Sequence, residues 1–246
     1  MNSTFLKKFI TDEKNLAFLN ENMWGPNGIR QAEELASHFQ VTKDMKILDL
    51  GCGMGLSSVY LASEYGATVF ATDLYADPTE NHEKLESLGV ADKIVPMTID
   101  ALQPLPFAKD YFDVIFSVGA YNMFGDTEEM LPRFIPYVKK GGYIAVAFPG
   151  LKYDFGDNVP EEMQPFWAVK DVARYIRGIE WWRELFNKTE GIEIVTISEQ
   201  ACHDIAWEEY LASIDPCNEE GKWDIDMMAA EDGKYYNTIQ LVAKVV

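Results

Sequence analysis

Ile47-Leu48-Asp49-Leu50-Gly51-Cys52-Gly53-Met54-Gly55-Leu56-Ser57-Ser58 is the stretch on which the reading of this chain turns. Ile47, Leu48 and Leu50 make the apolar run of a strand buried on both faces. Gly51, Gly53 and Gly55 follow at alternate positions, where the lack of a Cβ lets the backbone turn tightly and come close to a ligand. Leu56 to Tyr65 then reads as a helix, whose first N–H groups have no partner within the helix and point back at the loop. Strand, glycine turn and helix together describe a nucleotide-cradling loop.

The spacing separates one nucleotide class from another. A dinucleotide fingerprint, G-x-G-x-x-G, needs its third glycine at position 56, which is Leu56 here. The pattern present instead is Asp49-x-Gly51-x-Gly53-x-Gly55. Downstream, ATVFATDL reads as a second strand ending at Asp73, 24 residues after Asp49. That is close to the interval of roughly 20 residues at which doubly wound folds place a carboxylate on a ribose diol. KIVPMTID gives a third strand with Asp100 and Ala101 at its carboxyl end, and YFDVIFSVGAYN a fourth with Ser117, Tyr121 and Asn122 at or beyond its end. A helix is expected over 126–140, kinked by Pro132 and Pro136, with Lys139 and Lys140 at its C-terminus and YIAVAF as the fifth strand after Gly141-Gly142. Strands and helices alternating in this rhythm imply a parallel sheet with right-handed crossovers and a ligand at the carboxyl ends of the strands.

Over residues 29–150 these landmarks resemble the class I S-adenosylmethionine-dependent methyltransferases. The resemblance implies a Rossmann-like, doubly wound α/β fold. It would have a seven-stranded, mostly parallel sheet with helices on both faces, IEIVTISE as sixth strand, and TIQLVAKVV inserted antiparallel beside it. It also implies S-adenosylmethionine as cofactor, cradled by Asp49, Gly51, Cys52, Gly53 and Gly55. Asp73 would bind the ribose hydroxyls, with Leu74 also at the cofactor, Asp100 and Ala101 would meet the adenine, and Ser117 would lie at the cofactor on the border of the methyl-transfer cleft. Residues 1–28 are expected to stand outside the core domain as a lid over the domain spanning 29–246. Insertions at about 151–190, with a helix over 173–187, and at 202–235 would cap the cleft.

The implied reaction is methyl transfer to a small-molecule acceptor by in-line displacement. Its candidate catalytic residues are Tyr121, Asn122 and His203, and its candidate acceptor-pocket residues Trp24, Tyr121 and Trp181, although aromatic residues on capping helices also serve as plain packing. Two alternatives stay open on the sequence: a non-catalytic S-adenosylmethionine-binding sensor or partner domain, and a lipid-modifying relative of the cyclopropane-fatty-acid type. A NAD-dependent reductase is opposed by Leu56.

Composition sets the outer bounds. Hydrophobic content of 48% with 13% aromatic residues supports a large packed core. A net charge of −19 without a basic stripe argues against a nucleic-acid partner. Cys52, Cys202 and Cys217 carry neither a disulfide framework nor metal-ligand spacing, so no metal is expected. No apolar run is long enough to span a bilayer, and charges interrupt the first residues, so a cytoplasmic protein is expected, with a homodimer as one option.

Overall fold

The computed structural model describes residues 3–168, 175–215 and 218–246. Seven strands form one sheet: β1 (Lys46–Leu50), β2 (Thr68–Asp73), β3 (Ile94–Thr98), β4 (Phe112–Val118), β5 (Val138–Leu151), β6 (Ile192–Glu199) and β7 (Tyr236–Val245). Their order is β3-β2-β1-β4-β5-β7-β6, with β1 to β5 parallel and β7 antiparallel to both neighbours. The chain leaves β1 in one direction and returns through β4 on its other side, so a crevice opens above the carboxyl ends of these two strands.

One face of the sheet is covered by α1 (Thr4–Phe9), α2 (Glu13–Asn22), α3 (Gly28–Ala36), α4 (Leu56–Tyr65) and α5 (Pro78–Leu88), whose apolar side chains join Ile47, Val69 and Val114 in one buried cluster. Helices α6 (Met130–Phe134) and α7 (Ile179–Asn187) cover the opposite face, where Phe134, Trp182 and Phe186 pack on Ile115, Val146 and Leu241. A third cluster joins the two insertions. Val159, Met163 and Trp167 of the first meet Trp207 on α8 (His203–Ser213) and Met227 on α9 (Glu219–Glu231) of the second.

Three expectations are corrected. Of the expected lid segment 1–28, the described residues 3–28 do not stand outside the core, because Phe5, Leu6, Phe9, Phe18, Leu19 and Met23 are buried in the same cluster as the sheet. Phe5 meets Tyr60 of α4 edge-on at 5.1 Å, and Glu33 of α3 accepts the Ser3 hydroxyl and, at 3.0 Å, the Thr4 amide. The helix expected over 126–140 shrinks to α6 and a short 3-10 turn, Ile135–Tyr137, since Pro136 has no N–H to continue it. Lys139 and Lys140 consequently belong to β5, and Lys139 pairs with Asp113 at 2.6 Å. The helix expected over 173–187 is interrupted: Gly178 is extended and bridges Leu151, and α7 starts after it, while 173 and 174 lie outside the described residues. Cys217 also lies outside them. Cys52 and Cys202 are free and buried.

Candidate functional site

The loop after β1 is held by hydrogen bonds from the strand beside it. The Thr72 carbonyl accepts the amides of Gly51 (2.8 Å) and Cys52 (3.0 Å), and the Thr72 hydroxyl donates to the Asp49 carbonyl (2.9 Å). Asp73 Oδ2 accepts the Gly53 amide at 2.9 Å, while its Oδ1 accepts the amides of Tyr75 and Ala76. Asn81 of α5 donates its side-chain amide to the Gly53 carbonyl at 3.0 Å. Two glycines are obligatory. Gly51 has φ +71° and a Cβ there would collide with Ala120; Gly53 has φ +52° and a Cβ would stand 3.4 Å from the Trp24 ring.

Above this loop lies a cavity of about 690 Å³. Its floor is formed by Gly51, Cys52, Gly53, Val118 and Gly119 at the strand ends. One wall carries Asp73, Leu74, Ile99, Asp100, Ala101 and Leu102; the opposite one carries Trp207, Tyr210, Asp224, Tyr236 and Thr238 from the second insertion and β7. Asn22, Trp24, Gly25, Pro26 and Gly28 close a third side. The second insertion is fixed over the cavity through α3. The Asn27 amide donates to the Ala206 carbonyl at 3.0 Å, Arg30 Nε to Glu209 at 2.6 Å, and Glu34 accepts the amides of Ala201 and Cys202 at 2.7 and 2.8 Å.

Of the expected cofactor residues, Gly51, Cys52, Gly53, Asp73, Leu74, Asp100 and Ala101 meet at the cavity, and Trp24 of the expected acceptor residues joins them. The others do not line it. Gly55 is the left-handed N-cap of α4, set back from the wall. Asp49 is fully buried beneath the loop, where Oδ2 accepts the hydroxyls of Ser57 and Ser58, each at 2.6 Å, and Oδ1 has no partner. Burial raises its pKa to about 6, against the opposing pull of the two serine hydroxyls. Ser117 is buried too and donates to the Leu50 carbonyl at 2.7 Å.

The expected catalytic residues are all displaced from the cavity wall. Tyr121 turns into the core beneath the sheet, against Phe124, Phe148, Trp182 and Phe186, with its hydroxyl unpartnered and its pKa pushed up by burial. Asn122 donates to the Tyr175 carbonyl at 3.0 Å, which ties the fourth-strand loop to the first insertion. His203 lies behind the wall, its Nδ1 2.9 Å from the Thr238 hydroxyl, and burial lowers its pKa. Trp181 is on α7, on the far face of the sheet, stacked under Arg177 at 5.2 Å. An aromatic residue next to a functional strand end is as well suited to the core as to the cleft, and periodicity does not separate the two.

Residues that sequence reasoning passed over are Asn22, Thr72, Asn81, Trp207, Tyr210, Asp224, Tyr236 and Thr238. Their signal is tertiary: they come from six separate elements that meet only in the folded chain. Among the described residues, no group of three or more His, Cys, Asp or Glu side chains could hold a metal ion, and no helix is long and apolar enough to cross a membrane.

Residues 47–142 match a family model described as a methyltransferase domain. Over that stretch the chain is similar to methyltransferase domains. It is 27% identical over 176 residues to the methyltransferase GfsG of Streptomyces halstedii, covering 70% of this chain and 63% of that protein. It is 34% identical over 145 residues to 2-methyl-6-phytyl-1,4-hydroquinone methyltransferase of Synechocystis, covering 59% of this chain and 42% of that one. The chain thus spans less than two thirds of the length of either relative. Its fold matches that of a geranyl diphosphate methyltransferase in complex with S-adenosylmethionine, with a TM-score of 0.68 at 16% identity, over 89% of this chain and 86% of the other.

Proposed function

We propose that this protein transfers a methyl group from S-adenosylmethionine to a small-molecule acceptor by in-line displacement. The observation that carries the reading is the convergence of the glycine loop, Asp73 and residues 99–102 on one cavity that the cap closes from the opposite side. The donor set suits the cofactor. Gly51 and Gly53 leave room for its methionine part, Asp73 is the acceptor for ribose hydroxyls, and Leu74, Ile99, Ala101 and Leu102 offer an apolar slot for adenine beside Asp100. Among the described residues no Lys, Arg or His lines the cavity, so nothing there repels a sulfonium.

S-adenosylmethionine supplies an activated methyl group, and the protein's contribution is alignment and exclusion of water. Trp24 closes over Gly53 from the N-terminal side, and Trp207, Tyr236 and Thr238 limit the acceptor's space on the other. The relatives' names cover a hydroquinone and a diphosphate as acceptors, so they do not assign one to this chain. Calorimetric titration with S-adenosylmethionine, S-adenosylhomocysteine and NAD tests the reading. The first two should bind and NAD should not; binding of NAD alone would overturn it.

A further inference from the structure

The acceptor half of the cavity has a chemistry of its own. Trp207, Tyr210 and Tyr236 form an aromatic group there, with Trp207 edge-on to each tyrosine at 5.8 Å. Among them stands one carboxylate, Asp224 on α9, which lines the cavity and is half-buried. Its Oδ2 accepts the Tyr210 hydroxyl at 2.7 Å, and among the described residues no donor reaches Oδ1. No protein cation offsets its charge along the described cavity wall.

We propose that the methyl acceptor is an amine that arrives as an ammonium ion, held by Asp224 and the faces of the surrounding aromatic rings. The proposal rests on the methyltransferase reading and names the substrate class of the same site. A half-desolvated carboxylate with a single hydroxyl donor gains from a cation placed against it, and aromatic faces attract the same charge. Burial pushes the Asp224 pKa up while the Tyr210 hydroxyl pulls it down, with no cation contributing. An anionic acceptor would meet this carboxylate with no counter-charge from the described wall. A neutral one would leave the carboxylate without a partner beyond Tyr210.

The arrangement also accounts for a proton. An ammonium nitrogen has no lone pair until it loses one. Asp224 takes that proton and passes it on to bulk water, leaving a neutral amine beside the cofactor half of the cavity.

The test is a binding measurement on the full chain saturated with S-adenosylhomocysteine, so that the cofactor half is filled. The probes are 2-phenylethylamine, the neutral 2-phenylethanol and the anionic 3-phenylpropionate. The amine is expected to bind about tenfold more tightly than the alcohol, and the acid most weakly. Asp224→Asn keeps the shape and an acceptor for Tyr210; it should abolish the preference and leave S-adenosylhomocysteine affinity unchanged. Asp226→Asn, an exposed neighbour on the same helix, controls for the overall charge and should leave the preference intact. Equal binding of alcohol and amine, no amine binding, or a preference that survives Asp224→Asn overturns the proposal. So does a loss of S-adenosylhomocysteine affinity in Asp224→Asn, which would assign the carboxylate to the cofactor. Failure of the native protein to bind S-adenosylhomocysteine overturns the methyltransferase reading beneath it.

Discussion

The carboxylate of Asp73 accepts the backbone N–H of Gly53 at 2.9 Å, so the residue that ends one strand also fixes the turn that follows its neighbour. Two further amides, of Tyr75 and Ala76, bond to its other oxygen. A carboxylate has about four acceptor positions, so three are spent on the protein's own backbone. Asp73→Asn should therefore both loosen the loop and weaken the grip on the ribose. Losing one charge-assisted hydrogen bond costs about 1.5 to 3 kcal/mol, or roughly 10- to 150-fold in S-adenosylmethionine affinity. Calorimetry checks it, and unchanged affinity contradicts the assigned role.

Asp49 makes the protein's stability depend on pH in an unusual direction. Its folded-state pKa of about 6 lies above the ordinary 3.8, so the folded protein holds the proton more firmly than the unfolded chain does. The advantage is complete below about pH 4 and is lost as pH rises through 6, a change of about 3 kcal/mol. Asp49→Asn removes this dependence. Denaturant melts of both proteins at pH 4 and pH 7 should show the native protein losing ground to the variant by that order of magnitude. A gap that stays constant with pH would show that Asp49 is ionised at both.

Trp24 is 64% exposed, yet its ring lies against Gly53 at the cavity. Trp24→Ala should leave the melting temperature nearly unchanged, because little buried area is lost. Cofactor affinity should fall, since an apolar wall of the cavity is gone. Deletion of residues 1–24 is not an equivalent experiment; it would strip Phe5, Leu6, Phe9, Phe18, Leu19 and Met23 from the core and unfold the protein.

Tyr121→Phe is expected to be silent in catalysis. The phenol hydroxyl is buried without a partner, so its removal relieves an unsatisfied polar group and should be neutral or stabilising by about 1 kcal/mol. Thermal melts and cofactor titration read both effects. A loss of cofactor binding or turnover in a well-folded variant would restore Tyr121 to the site.

No specific binding to DNA or RNA is expected from a chain with a net charge of −19. Anisotropy titration at physiological salt is sufficient, and micromolar association that weakens steeply with salt would reveal a local basic patch.

Much of the sheet was legible because its signals are local. Ile47 to Leu50 run into glycines, Asp73 closes an apolar run, and each event sits within a few residues. Asp126 to Lys140 misled for a physical reason: its apolar spacing fits a helix, yet Pro136 removes a donor and Val138 pairs with Phe112 instead. The cofactor side of the cavity could be read from strand ends alone. Its other side could not, because Trp207, Asp224 and Tyr236 approach one another only after α8, α9 and β7 have packed together. Tyr121 shows the same limit from the opposite direction. Position placed it beside the cleft, and whether its ring turns up or down is decided by Phe148 and Trp182, which are distant in sequence.

The fastening of α8 to α3 has a kinetic meaning. Swinging the cap open as a body would break the Arg30–Glu209 pair and the amide bonds to Glu34 together. Among the described residues, a way in lies by the rim where Trp24, Leu74, Tyr75, Leu102 and Met123 stand exposed. That rim belongs to the cofactor's end of the chamber, whereas Trp207, Tyr236 and Thr238 are buried at the far end. On the proposed reading the two ligands share this doorway, so a bound cofactor narrows the acceptor's path without closing it: the acceptor should associate more slowly with S-adenosylhomocysteine in place than without it, a difference that stopped-flow rates would display.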